Sequence, residues 1–125
     1  MKLITKQRNI IREFETRYLD NQYKIDWNTI KLSRADGYKH NQMVANICVW
    51  LCHSNIPFAT QCRFRKTSYR PDIICPLGIP KPIIEVRNTE TEKRSKAKQI
   101  RIPAELHNSI IYVDANQPFK EEMIL

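Results

Sequence analysis

Glycine is almost absent from this 125-residue chain: Gly37 and Gly78 are the only two, and they stand far apart. That spacing excludes the phosphate-cradling loops of nucleotide-binding folds, which need several glycines close together. Long apolar runs are missing as well, so no segment has the length of a membrane span or the layout of a secretory leader. A non-secreted protein without membrane partners is expected, cytoplasmic in the simplest case, with an organellar or virus-encoded origin also compatible. The four cysteines, Cys48, Cys52, Cys62 and Cys75, fall in apolar segments and do not form the framework of a small disulfide-stapled domain. Nor do they make a zinc site with His40 or His53, because Cys48 and Cys52 are a helical turn apart and not in a tight Cys-x-x-Cys turn. Acid is the scarcer charge. Asp and Glu number 13 against 21 Lys and Arg, a formal net charge of +8, and that excess on a small domain points to a polyanionic partner.

With 42% hydrophobic residues the chain can bury a core as one compact unit. Ile10, Ile11, Phe14 and Tyr18 recur at helical spacing within residues 6–18. Residues 21–32 fit a short helix or an extended arm, and Ala35-Asp36-Gly37 marks a break. The chain therefore divides into an N-terminal helical extension, residues 1–36, and a core, residues 37–125. In the core, Met43, Ile47, Trp50, Leu51 and Ser54, flanked by Val44 and Cys48, form one helical stripe that Asn55-Ile56-Pro57 closes. The stretch "FATQCRFR" alternates, with Phe58, Thr60, Cys62 and Phe64 on one face and Ala59, Gln61, Arg63 and Arg65 on the other, which predicts a strand. "RPDIICP" and "PIIEVRN" are short apolar runs joined by Leu77–Lys81, a loop suited to antiparallel neighbours. After Asn88 the chain turns charged and helix-prone, kinked or split by Pro103, before "IIYVDA" reads as a buried strand. Helices before and after strands predict an α/β fold, a mixed sheet of about four strands covered on both faces.

Two carboxylates interrupt the apolar runs. A buried unpaired charge is costly, so Asp72 and Glu85 need a reason to be there. Side chains alternate along a strand, which puts Glu85 with Arg87 and Asp72 with Ile74. If the two runs pair through the Leu77–Lys81 loop, Asp72 and Glu85 converge on one side. Two carboxylates with the Val86 backbone carbonyl make a hard, oxygen-rich site suited to Mg²⁺ or Mn²⁺. A metal so held promotes phosphodiester hydrolysis, and the Arg87 guanidinium beside it suits the scissile phosphate. The plainer alternative is a pair of surface acids in weak ion pairs with Arg70 and Arg87.

Pro71-Asp72 followed by Glu85-Val86-Arg87, inside the order helix, strand, strand, strand, helix, strand over about residues 39–115, resembles the PD-(D/E)xK nuclease superfamily. The resemblance implies a restriction-endonuclease-like mixed sheet flanked by helices, here with an extra N-terminal helix. It also implies a metal-dependent endonuclease acting on DNA in preference to RNA, working as a homodimer, with Asp72 and Glu85 as metal ligands. Two departures stand out. Arg87 occupies the place of the motif lysine, so Lys96 or Lys93 would have to take that role, with Gln99 facing the site from the same helix. Members of the superfamily often carry a glutamate on the preceding helix, whereas residues 40–53 contain no acid. Gln42 and Asn46 lie nearest the expected place.

Basic residues flank the proposed site on both sides: Arg63, Arg65, Lys66 and Arg70 before the first acid, and Lys93, Arg94, Lys98 and Arg101 after the second. A nucleic-acid backbone would lie along such clusters, and Tyr69 and Tyr112 are candidates for stacking on bases. A rival of another class is a catalytically inactive nucleic-acid-binding or ribonucleoprotein module on the same fold, which the arginine and the missing helix acid favour.

Overall fold

A computed structural model describes residues 3–20, 22, 24–88 and 102–125. Helix α1 runs Thr5–Tyr18 and helix α2 runs Tyr38–His53; the strands are β1, Ala59–Thr60, β2, Ile73–Ile74, β3, Ile83–Arg87, and β4, Ile110–Asp114. They form one sheet in the order β1-β2-β3-β4. β1 with β2 and β2 with β3 are antiparallel, while β3 and β4 are parallel. The fold is thus α/β with a mixed four-stranded sheet. The antiparallel pairing of the Asp72 and Glu85 runs agrees with the sequence, in the register Ile73↔Ile84.

Period-two alternation sends the sheet's apolar side chains into two separate cores. On one face Ile73, Cys75, Ile84, Val86 and Val113 meet Val44, Ile47, Cys48 and Leu51 of α2. Ile47, Leu51, Ile73 and Ile84 are fully buried, and burying a side chain of that size contributes about 1.5–3 kcal/mol. On the other face Ala59, Ile74, Ile83 and Ile110 meet Leu19, Phe64, Tyr69, Ile102 and Leu106. The end of α1 belongs to this second core. Phe14 and Tyr18 pack edge-on and stacked against Phe64, and Leu19 bridges to Phe64. The N-terminal extension is therefore one wall of the sheet's second face.

The strand predicted over residues 58–65 is shorter in the structure. Within the sheet only Ala59 and Thr60 pair, because Gln61 takes φ 59°, a left-handed conformation that ends extended pairing. The break also undoes the expected alternation: Phe58 enters the α2 core while Ala59, Cys62 and Phe64 join the other. Residues 24–33 form an irregular arm and not a helix, with a turn at Trp27–Asn28 where Asn28 takes φ 62°. The arm lies along β1: Asn28 N–H donates to the Phe58 carbonyl at 2.7 Å and Lys31 N–H to Thr60 Oγ1 at 2.8 Å. Trp27 Nε1 ties it to Glu15 of α1 at 2.8 Å.

Candidate functional site

The two acids meet where the β2–β3 ladder ends. Its last backbone pair is Ile73↔Ile84, and the preceding Pro71 has no N–H to continue it. Past that point the side chains take over. Asp72 N–H donates to Glu85 Oε1 at 2.8 Å, and Val86 N–H donates to Asp72 Oδ2 at 2.8 Å. Each carboxylate thus accepts from a backbone donor that the end of the ladder would otherwise strand. Both acids are only 7% exposed, so they are not the surface ion pairs of the plainer reading.

Three further groups surround the pair. His40, in the first turn of α2, places Nε2 3.1 Å from Asp72 Oδ1. Burial alone would lower its pKa, but the hydrogen bond and charge of Asp72, with the charge of Asp36, outweigh that and raise it. Tyr69 is buried in the second core with its hydroxyl toward Glu85; desolvation, then the Glu85 charge, push the phenol far above its ordinary pKa. Arg87 lays its guanidinium over the Tyr112 ring, 3.5 Å from the centroid, and its buried Nε meets no hydrogen-bond partner among the described residues.

Geometry also bears on the backbone. In an extended strand the N–H and C=O of one residue face the same neighbour. Since Val86 N–H points to Asp72, its carbonyl faces the same side, beyond the end of β2. Asp72, Glu85 and that carbonyl form an oxygen set of the kind Mg²⁺ takes when it keeps several waters. Among the described residues no cluster of three or more His, Cys, Asp and Glu side chains is placed to hold a metal. The oxygens that could face a cation here are those of two carboxylates and one backbone carbonyl.

Other expected residues fall elsewhere. Gln42 and Asn46 of α2 line a groove against Ala115–Phe119; the α2 side chain brought to Asp72 is His40. It shares the stripe of Val44, Ile47 and Leu51 at helical spacing, and that periodicity was the available signal for it. Arg65 does not project to a ligand: its Nε and Nη2 both donate to the Leu19 carbonyl at 3.3 Å, securing the end of α1. Arg63 and Arg70 line a cleft with Lys24 and Lys31, and Lys66 is exposed. Tyr69, at 1% exposure, is unable to stack on a base; Tyr112 is exposed and already faces Arg87. Lys93, Arg94, Lys96, Lys98, Gln99 and Arg101 lie outside the described residues. Cys48, Cys52, Cys62 and Cys75 are free thiols. No family model, curated protein or solved structure matches this chain.

Proposed function

We propose that this chain is a metal-dependent endonuclease of the PD-(D/E)xK kind, hydrolysing phosphodiester bonds in DNA, with Asp72, Glu85 and the Val86 carbonyl holding Mg²⁺ or Mn²⁺. The observation that carries the reading is the convergence of two nearly buried carboxylates at the end of the β2–β3 ladder, beside a guanidinium with an unspent donor. A divalent cation bound there supplies charge stabilisation and activation of water for phosphodiester hydrolysis. The chain's own groups do the positioning. Backbone N–H groups hold each carboxylate at 2.8 Å in one orientation, so little rearrangement is needed to receive a cation. Arg87, fixed on Tyr112, presents a planar donor to a phosphate oxygen. His40 holds Asp72 from the α2 side. The net charge of +8 draws the polyanion to the surface around them. Lys96 and Gln99 remain the candidates for assisting the attacking water, and a homodimer would cut both strands.

A second reading has its own observation. Both Asp72 oxygens already have protein partners, Val86 N–H and His40, which is what two acids retained only to finish a sheet would show. That reading makes the protein a nucleic-acid-binding module without catalysis. Cleavage of plasmid and branched DNA in Mg²⁺ and in Mn²⁺ decides between them, run beside Asp72→Asn and Glu85→Gln. The neutral amides keep an acceptor oxygen for each backbone N–H. The nuclease reading expects cutting by the parent chain and a loss beyond about a hundredfold in each variant, more than partners of metal ligands usually cost. No cutting in either metal, with salt-sensitive binding intact in all three proteins, would establish the binding module.

A further inference from the structure

The groove that holds Gln42 and Asn46 has a composition the acids do not account for. It lies between the first turns of α2 and the turn after β4, with a volume of about 300 Å³, near the lower end for small-ligand sites. Four side-chain amides line it, Gln42, Asn46, Asn116 and Gln117, together with Lys39 and the ring of Phe119. Side-chain amides carry donor and acceptor on one planar group, the pattern that matches the edge of a base. An aromatic wall beside them suits an unstacked base, as in recognition of single strands. Phe119 is anchored for that task, since it packs on the α2 core.

Position ties the groove to the acids. Lys39 Nζ donates to Asn116 Oδ1 at 3.3 Å, and Asn116 Nδ2 donates to Asn88 Oδ1 at 3.3 Å. Asn88 follows Arg87 directly, and Lys39 precedes His40, which holds Asp72. The groove thus lies at the end of the molecule that carries the carboxylates, where the parallel strands β3 and β4 finish. The N-terminus of α2 lies at the same end and favours a phosphate nearby.

We infer that this amide-lined groove binds an unpaired nucleobase of the nucleic-acid strand and gives the protein its base preference. The inference rests on the proposed nucleic-acid function but not on catalysis, so its test omits metal. Labelled 12-mers of oligo-dA, oligo-dT and oligo-dC are titrated in EDTA and followed by fluorescence anisotropy. The wild-type chain binds one of them tighter than the others by roughly five- to a hundredfold, the discrimination one bidentate amide supplies. Gln42→Ala and Asn46→Ala bring the three affinities together. Gln42→Glu, which keeps the side chain's shape and removes its donor, changes the order of preference. These positions are exposed, and a thermal melt identifies any variant that has lost its fold. Equal affinities in the wild type, no binding, or a preference unchanged in folded variants would overturn the inference. Failure of the nuclease reading looks different: no cleavage in Mg²⁺ or Mn²⁺, with the base preference and its loss in the variants intact.

Discussion

Asp72 serves the sheet through its oxygens and the proposed chemistry through its charge, and substitution separates the two. Asp72→Ala strands the Val86 N–H that now lies 2.8 Å from Oδ2. A hydrogen bond to a charged acceptor contributes about 1.5–3 kcal/mol, and leaving its buried donor unpaired is costly. The same change removes the 3.1 Å partner of His40, whose side chain is 13% exposed and so is poorly served by water. Together these losses come to about 3–5 kcal/mol, the cost of deleting one member of a buried ion pair. Asp72→Asn keeps an oxygen for the Val86 N–H, and a neutral bond has about half the strength of a charged one. Its cost is about 1–2 kcal/mol on that basis. Urea denaturation in EDTA near pH 6 measures both, with an unchanged slope as the check on two-state behaviour. Equal costs for alanine and asparagine, or an alanine cost under about 1 kcal/mol, would contradict this role for Asp72.

Three other outcomes follow from the same geometry. The His40 pKa is raised from an ordinary 6.5, so its stabilisation is full below that unfolded value and is lost as pH climbs through the higher folded value. In metal-free protein the stability gap between wild type and His40→Gln should be widest near about pH 5.5 and shrink toward about pH 9; a flat or widening gap contradicts it. Gly78 sits at φ +94° and an added Cβ would lie 3.0 Å from Ile56 Cγ2, while Gly37, at φ +82°, has open space. Gly37→Ala should cost about 1–3 kcal/mol in backbone strain alone, and Gly78→Ala should add the Ile56 contact to its own strain, in the same denaturation assay. Thiol titration at pH 8 should find one fast group, exposed Cys52. Burial pushes Cys48 up to about 12 and Cys62 up to about 11, and Cys75 higher still. A second fast thiol in folded protein would refute the burial of Cys48 and Cys75 or the raised pKa of half-buried Cys62.

Much of this architecture was legible because apolar periodicity is a local signal. The stripe from Met43 to Leu51 and the runs around Ile73 and Ile84 were readable from spacing alone, and the pairing of those runs followed from a short loop. What escaped were features that depend on one torsion or on a distant neighbour. Gln61 has no sequence mark for φ 59°, yet it ends β1 and puts Cys62 and Phe64 in the core opposite Phe58. Arg65 reads as a ligand-binding cation, and only the fold reveals Leu19 as its partner. His40 was weighed only as a zinc ligand, because its bond to Asp72 is a tertiary contact across 32 residues. The acids themselves were found by their misplacement in apolar runs. Their use as backbone acceptors was not, because it depends on where the ladder stops.

The most direct test of the central claim is a Mn²⁺ titration of the folded chain, followed by electron paramagnetic resonance or calorimetry, with Asp72→Asn and Glu85→Gln alongside. One ion per chain, lost in both neutral variants while their folds persist, is the result expected if two carboxylates at the end of the sheet hold a cation. Absence of binding, or binding that both variants retain, would mean that Asp72 and Glu85 serve the sheet alone.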